Sequence, residues 1–309
     1  MNKQTDKQSI DIREDYLAIN DNLLEILLQD KTTNSNILWA TDSYESLGAQ
    51  FATLAPITID LVTAAYGNLI QPRAIKSKEE QLIRTRDKAE VFTPLAIVKQ
   101  MNEACDTVPV TETNWQEYVA LLKLEITCGE APYIVSRYDP VFASQDLVPL
   151  SKRVGFLDTK LKVVSKYCNT EEEWIKWAKI AFQSSYGYEW QGDSLLIARE
   201  NLLYTFIDYY HDKFAETPSL ELQKEFAEII TWNIFQMDGL KYVVPMSCKT
   251  EKIIVKAALV LFDEKEDYTE EKPCAGCEKK VAQNHNGIYV QIMDWVNAKQ
   301  LQFVDLVSF

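Results

Sequence analysis

Two cysteines separated by two residues, Cys274 and Cys277, are the residues in this chain whose spacing best suits a metal ion. Two thiolates at this spacing can chelate one ion from a tight turn, and three thiolates with one imidazole complete a tetrahedral zinc site. Cys248 and His285, which is one of only two histidines, are the remaining candidate ligands. The alternative is a loop with two free thiols. A redox role is less favoured, because the pair does not open a helix after a strand.

A second candidate for chemistry is a carboxylate near the middle of the chain. Residues 186–190, with the sequence YGYEW, predict a short apolar strand in which Glu189 lies at the end, and a helix is predicted over 193–213. Nucleotide-binding α/β domains present an acidic side chain to a ribose from such a strand end. An ionised carboxylate has two acceptor oxygens, so Glu189 is a candidate ligand for both ribose hydroxyls.

The strand at 186–190 belongs to an ordered series of four short motifs. The others are EVFTP at 90–94, LEITCGEAPY at 124–133 and WNIFQMDGL at 232–240. In this order the series resembles the adenine-N6 DNA methyltransferases of restriction-modification systems, in the arrangement that places the Phe-Thr-Pro element before the glycine loop. The resemblance covers residues 84–240. It implies a Rossmann-like α/β fold, S-adenosylmethionine as cofactor and double-stranded DNA as substrate.

The resemblance also implies roles for single residues. Glu125 would attract the cationic ammonium or sulfonium of the cofactor, and Gly129 would let the backbone approach it closely. Glu189 would bind the ribose, and Asp238 would accept a hydrogen bond from the adenine amino group. The residues that would close over the methionine part are Phe92, Thr93 and Pro94.

Each of these residues also has an ordinary structural interpretation. Gly129 can simply form a turn, Phe92 can belong to the core, and Asp238 with Gly239 is a common turn dipeptide. For any one residue this interpretation competes with the functional one. The ordered set favours a ligand.

Two departures from the family pattern bear on activity. The second glycine of the glycine loop is replaced by Ala131, and the catalytic tetrapeptide, Asn or Asp followed by Pro-Pro and an aromatic residue, is absent, since no two prolines are adjacent. That tetrapeptide binds the target amino group and stacks on the flipped base, so methyl transfer depends on it. One explanation is that this chain stops just before this tetrapeptide, because residues 301–307 look like the strand that would present it. Alternatively, another subunit works with this chain, or the protein binds cofactor or DNA without catalysis.

The elements that must position these residues follow from hydrophobic spacing. Residues from about 10 to 71 predict an N-terminal helical segment, and 119–127 predicts a buried strand. Thr93 followed by Pro94 predicts that a helix begins at this point. Thr170 and Glu173 have capping-box spacing and predict a helix over 171–183. Strands at 185–189 and 233–236 alternate with helices at 193–213 and 220–230, which indicates a largely parallel sheet.

Composition limits the function classes. The chain has 309 residues, of which 47% are apolar, and a formal net charge of −14, which argues against uniform attraction to phosphate. Two basic clusters are candidates for local DNA contacts, with a solvated surface as the favoured alternative for each. They comprise Arg73, Lys76, Lys78, Arg84, Arg86 and Lys88, and then Lys152, Arg153, Lys160, Lys162 and Lys166.

The sequence therefore predicts three segments: an N-terminal helical segment (1–83), an S-adenosylmethionine-binding methyltransferase-like domain (84–245) and a Cys-rich C-terminal segment (246–309) that binds zinc. The favoured function is an adenine-N6 DNA methyltransferase or modification subunit that works with a partner subunit. The alternative is a non-catalytic methyltransferase-like protein that binds cofactor, DNA or a partner and has a structural zinc site.

We expect a cytoplasmic protein without membrane contact, because the N-terminus is polar and no long apolar run occurs. The six scattered cysteines fit reduced thiols or a metal.

Overall fold

The computed structural model describes residues 21–88, 91–106, 109–141, 146–255 and 268–307. The chain divides into two compact units, Met1–Gln236 and Met237–Phe309. The described helices of the first unit are α1 (Asp21–Leu28), α2 (Lys78–Lys88), α3 (Leu95–Cys105), α4 (Trp115–Ala120), α5 (Phe156–Tyr167), α6 (Glu171–Gln183), α7 (Gly192–Phe214) and α8 (Leu220–Asn233). Its described strands are β1 (Gln29–Asp30), β2 (Ser35–Asn36), β3 (Lys123–Glu125), β4 (Ser185–Glu189) and β5 (Ile234–Gln236).

The first unit contains a three-stranded parallel sheet in the order β3-β4-β5. Lys123 pairs with Ser185, and Gly187 pairs with Ile234. Parallel neighbours need long crossovers, which α5 and α6 provide between β3 and β4, and α7 and α8 provide between β4 and β5. The prediction of a mixed α/β fold with a parallel sheet is confirmed.

Helices α6, α7 and α8 form the core beside this sheet. The rings of Phe206 and Phe226 stack at a centroid distance of 3.7 Å, and Phe182 meets Phe226 edge-on at 5.0 Å. The fully buried Arg199 of α7 donates to the carbonyls of Leu27 and Ile234, at 2.6 and 2.8 Å, which ties α1 and β5 to α7. The predicted helices at 171–183, 193–213 and 220–230 are confirmed, because their apolar faces meet in this core.

The predicted N-terminal helical segment is largely wrong. Of residues 21–71, only α1 is an α-helix, and the rest contains the β1–β2 hairpin and short 3-10 turns. Gly48 has a φ of +132°, which a helix does not allow, and Pro56 has no backbone N–H to donate. Leu38 instead forms an antiparallel bridge with Pro56, so the apolar residues of this segment pack as an irregular layer. Residues 10–20 lie outside the described part.

The predicted buried strand at 119–127 is wrong in length and burial. Val119 belongs to α4, and β3 spans only Lys123–Glu125. Leu124 and Glu125 lie on opposite faces of the sheet, and the side chain of Leu124 is exposed whereas that of Glu125 is buried. The side chain of Leu122 is exposed as well. Thr127, with a φ of +47°, ends the extended conformation.

The second unit consists of short antiparallel pairs around one short helix. In its described part, β6 (Glu251–Val255) pairs with β7 (Tyr268–Lys272), α9 (Ala275–Lys279) follows, and β8 (Gln291–Asp294) pairs with β9 (Lys299–Gln302). The expectation that 301–307 forms a strand presenting a catalytic motif is wrong. Asp294 accepts the N–H groups of Val296 and Asn297, both at 3.1 Å, and this turn folds β9 back onto β8 before a 3-10 turn at Phe303–Leu306.

No helix among the described residues has both the length and the apolar character needed to cross a bilayer.

Candidate cofactor cleft and metal centre

A cleft of about 920 Å³ opens at the carboxyl ends of β3 and β4. This is the edge at which open α/β sheets bind their ligands. Of the residues predicted from sequence, the structure brings five together in its lining: Phe92, Thr93, Glu125, Gly129 and Glu189.

The loop after β3 has the conformation expected of a close-approach loop. Gly129 has a φ of +55°, and a Cβ built on it would lie 3.4 Å from the ring of Phe92. The Phe-Thr-Pro element therefore packs directly on the glycine loop. Ala131, which replaces the second glycine, also has a positive φ of +62°, so it adopts the conformation that a glycine adopts with less strain.

Glu189 joins the end of β4 to the glycine loop. Its Oε2 accepts the N–H of Gly129 at 2.8 Å, and its Oε1 accepts those of Trp190 and Gln191 at 2.9 and 3.1 Å. Burial raises its pKa, although these three hydrogen bonds oppose the rise. A carboxylate has about four lone-pair positions, so Glu189 retains room for about one further donor.

Glu125 supplies a second buried carboxylate to the same cleft. It accepts the N–H groups of Tyr133 and Ile134 at 3.3 and 3.0 Å. Burial raises its pKa well above its ordinary value, and the nearby charge of Glu189 adds to the rise. Burial and these two carboxylates also raise the pKa of the Cys128 thiol. Neither glutamate forms an ion pair with a lysine or arginine of the described residues, so the cleft carries acidic groups suited to a cationic ligand.

An ion pair that the sequence analysis missed supports the region after Glu189. Arg84 Nη2 lies 2.6 Å from Asp193 Oδ2, which also accepts the hydroxyl of Tyr44 at 2.8 Å. Burial by itself would raise the pKa of Asp193. The positive charge of Arg84, together with smaller contributions, outweighs the effect of burial, so the pKa of Asp193 is lowered. The first turn of α7 is thereby fixed to α2. The only sequence signal was an acidic residue at a helix start.

Several basic residues proposed for DNA contact do not face solvent. Arg84, Arg153 and Lys160 are all buried. Arg153 lies 2.6 Å from Asp208. Lys160 Nζ donates to the carbonyl of Leu121 at 2.6 Å, and burial lowers the pKa of Lys160 to about 7. These three residues hold the fold together, so any contact with phosphate falls to the other members of the clusters.

Two predicted cofactor residues are not among those that line the cleft. Pro94 directly precedes α3. Asp238 belongs to the second unit, where its Oδ1 accepts the N–H groups of Leu240 and Lys241 at 3.0 and 3.2 Å. This is a side-chain-stabilised turn of the kind that Asp-Gly sequences favour. A role for Asp238 at adenine stays a prediction.

The second unit brings together all four predicted metal ligands. The ligand atoms of Cys248, Cys274, Cys277 and His285 lie within 4.8 Å of one another. Each of the three Sγ atoms is 3.6 Å from His285 Nδ1. A tetrahedral ion with ordinary Zn–S and Zn–N bond lengths would place S and N about 3.6 Å apart. The cluster could hold a metal ion.

We compared the chain with protein-family models, with curated proteins and with solved structures. None matches it. The proposed function therefore rests on the cleft and the metal cluster.

Two glycines allow the backbone to approach closely enough for the four ligand residues to meet. A Cβ on Gly276 would lie 2.6 Å from the backbone nitrogen of His285, and one on Gly287 would lie 3.1 Å from Cys248 Sγ. Asn286 N–H donates to Cys274 Sγ at 3.2 Å. Burial raises the pKa of Cys274, but hydrogen bonds from Asn286 and other groups outweigh it and lower the pKa to about 6. The Ala-Gly spacer between the two cysteines already indicated in the sequence that Gly276 belongs to the site. No feature of the sequence indicated a role for Gly287 or Asn286.

Proposed function

We propose that this protein binds S-adenosylmethionine in the cleft and acts as an adenine-N6 DNA methyltransferase, or as the modification subunit of a restriction-modification system. The parallel sheet would then belong to a Rossmann-like domain. One observation carries the proposal: two buried carboxylates, Glu125 and Glu189, lie without a cationic partner among the described residues, at the ends of adjacent parallel strands and beside Gly129. A buried negative site of this kind is stabilised by a ligand with positive charge.

The residues of this chain would bind and orient the cofactor, which supplies a methyl group on a cationic sulfur. Glu125 attracts the cation, and Glu189 Oε2 accepts a ribose hydroxyl. Phe92 packs on Gly129 and covers the loop that the methionine part approaches. The acceptor of that methyl group would be the adenine amino group of DNA. The tetrapeptide that accepts this amino group would come from outside this chain.

Calorimetric titration with S-adenosylmethionine tests the binding step. We expect S-adenosylmethionine to bind, and to bind more weakly to the Glu125→Gln and Glu189→Gln variants. S-adenosylhomocysteine, which lacks the sulfonium charge, should also bind more weakly than S-adenosylmethionine. Cys105→Ser, which changes an exposed thiol in the cleft lining, is the matched control. Absence of binding, or binding that neither glutamate substitution affects, would overturn the proposal.

The second candidate function is a non-catalytic methyltransferase-like protein that binds cofactor, DNA or a partner. The observation in its favour is that no two prolines of the sequence are adjacent, so the tetrapeptide is absent. Transfer of a tritiated methyl group to unmethylated genomic DNA, with and without the products of neighbouring genes, separates the two. Persistent inactivity together with cofactor binding supports the second candidate.

We also propose that the ion of the second unit is zinc and that its role is structural. Three thiolates and one imidazole are a ligand set that closed zinc sites use. Cys248 and Cys274 flank the β6–β7 pair in sequence, so one ion would close this hairpin at its base. Elemental analysis of the purified protein should give about one zinc per chain, and a zinc content near zero would remove the proposal.

A further inference from the structure

A third glutamate, Glu130, belongs to the glycine loop but not to the lining of the cleft. It directly follows Gly129, which lines the cleft, yet Glu130 itself is buried and is not among the described residues of that lining. Burial of a carboxylate is unfavourable unless hydrogen bonds or opposite charges stabilise it. The groups that bind Glu130 therefore indicate what its burial achieves.

The two carboxylate oxygens of Glu130 bind two different parts of the first unit. Oε1 accepts the N–H of Arg73, in the turn before α2, and Oε2 accepts the hydroxyl of Tyr138, both at 2.7 Å. Burial raises the pKa of Tyr138 well above its ordinary value, and the charge of Glu130 adds to the rise, so this hydroxyl keeps its proton. Glu130 thus connects the glycine loop to the turn before α2 and to Tyr138.

Asn201 of α7 completes this network. Its Nδ2 donates to the hydroxyl of Tyr138 at 3.0 Å and to the backbone carbonyl of Glu130 at 3.1 Å. Both Asn201 and Tyr138 are buried. Glu130 is therefore held through its backbone as well as through its side chain. Because α7 also follows Glu189 in the chain, both partners of the hydrogen bond between Gly129 and Glu189 are connected to this helix.

Glu130 lies between two residues with a left-handed backbone conformation. Gly129 has a φ of +55° and Ala131 has a φ of +62°. A residue with a Cβ adopts this conformation at a cost, which the surrounding structure has to offset. The hydrogen bonds that Glu130 accepts come from groups outside this turn, so they hold the turn in its left-handed conformation.

The same turn carries groups that line the proposed cofactor site. Gly129 N–H donates to Glu189 Oε2 at 2.8 Å. Arg73, whose N–H Glu130 accepts, places its guanidinium 4.9 Å from the centroid of the Phe92 ring. A shift of Glu130 would therefore displace Gly129 and Phe92 together.

We propose that Glu130 is a positioning residue of the cofactor cleft, held by Tyr138 and Asn201, and that it strengthens the binding of S-adenosylmethionine without contacting it. The inference rests on the proposed function for the identity of the ligand. Because the network fixes the turn at Gly129 before the ligand arrives, binding does not have to order this loop.

Tyr138→Phe in the full chain tests the network, because it removes the hydroxyl that donates to Glu130. Tyr210→Phe is the matched control, since the buried Tyr210 also donates its hydroxyl to a glutamate, Glu171. Both variants should lose similar stability in urea titrations. We expect only Tyr138→Phe to bind S-adenosylmethionine more weakly in calorimetry, by about tenfold or more. Glu130→Gln, which keeps the size of the side chain but removes one acceptor oxygen, should have the same effect.

Hydrogen exchange within the loop separates positioning from a general loss of stability. Without cofactor, the amide of Gly129, which donates to Glu189, should exchange about tenfold faster in Tyr138→Phe than in Tyr210→Phe. Equal affinity of the two variants for S-adenosylmethionine, or equal exchange at Gly129, would overturn the proposal. If the unsubstituted chain binds no S-adenosylmethionine, the proposed function fails, whereas faster exchange at Gly129 in Tyr138→Phe still supports the anchoring of the loop by Glu130.

Discussion

The ring of Phe92 lies 3.4 Å from the position where Gly129 would carry a Cβ. The guanidinium of Arg73 lies over the same ring, 4.9 Å from its centroid, and Arg73 N–H donates to Glu130 Oε1 at 2.7 Å. Phe92 and the glycine loop are therefore joined both directly and through Arg73. This relationship brings two sequence motifs, whose residues Phe92 and Gly129 both line the cleft, into contact.

Gly129→Ala should lower both stability and cofactor affinity. The φ of +55° costs a residue with a Cβ about 1 kcal/mol, while the added methyl meets Phe92 at an ordinary contact distance. We expect the free energy of unfolding to fall by about 1 kcal/mol in urea titrations, and S-adenosylmethionine to bind more weakly in calorimetry. Unchanged stability would contradict the cost assigned to the positive φ at this position.

Binding of a cation in the cleft should release protons. Burial raises the pKa of Glu125, whereas a bound cation favours the ionised form of this carboxyl, so cation binding and proton release are coupled. Affinity should therefore increase with pH up to the raised pKa and then level off. Calorimetry in buffers of different ionisation enthalpy measures the released protons, and Glu125→Gln should abolish the Glu125 contribution. Equal proton release by this variant would assign it to another group.

Stability should rise with pH between about 7 and 10.5 because of Lys160. Burial lowers the pKa of Lys160 from 10.5 to about 7, so in this range the unfolded chain binds more protons than the folded chain. Below pH 7 both states are protonated and the contribution is constant. The slope from one such group is at most about 1.4 kcal/mol per pH unit. Lys160→Met should reduce the slope measured by denaturant titration, and an unchanged slope would contradict the assignment.

Ala215→Gly should stabilise the protein. Ala215 follows α7 with a φ of +57°, and its N–H donates to the carbonyl of His211 at 2.8 Å, which is the helix-ending geometry that glycine prefers. The free energy of unfolding should increase by about 1 kcal/mol. Ala104→Gly, at an exposed position inside α3, should decrease it by a similar amount. A change of the same sign in both variants would argue against the role of φ.

Chelation of the zinc that we propose for the second unit should loosen that unit. With a chelator, the like charges of the thiolates of Cys248, Cys274 and Cys277 repel one another, and hydrogen exchange of residues 248–291 should accelerate. Cys277→Ser should have the same effect without chelator. Cys105→Ser, which changes an exposed thiol outside the cluster, is the matched control. Exchange that chelator leaves unchanged would mean that no ion holds these residues.

Local patterns in the sequence were sufficient where one element could be specified by its own residues. Thr170 accepts the N–H of Glu173 at 3.3 Å, as its capping-box spacing predicts, and α6 ends at the predicted residue. The Cys-x-x-Cys spacing with Cys248 and His285 predicted a cluster that the structure assembles. The helix cap and the Cys274–Cys277 pair depend on short-range geometry, which residue type and spacing determine. Cys248 joins the pair only through the fold of the second unit.

Tertiary structure decided the features that depend on distant partners. The apolar residues between 43 and 66 have helical composition, but the structure has only short 3-10 turns there. Their contacts join residues far apart in sequence, as in the bridge of Leu38 with Pro56 and the ring contact of Trp39 with Phe51. Leu122 and Leu124 have the apolar pattern of a buried strand, yet burial requires another element that covers the face of the sheet on which their side chains lie. The sequence neighbours of Arg84 are those of a surface residue, but in the fold α2 places its guanidinium beside the carboxylate of Asp193.

The sequence by itself thus determined which acidic residues, cysteines and glycines are candidates for the two sites, and which helices follow the strands. Only the tertiary structure decided that Phe92, Glu125, Gly129 and Glu189 share one cleft. The physical reason is that helix caps and chelating pairs involve residues a few positions apart. A parallel sheet joins residues that long crossovers separate, so its pairing and its open edges depend on the whole fold.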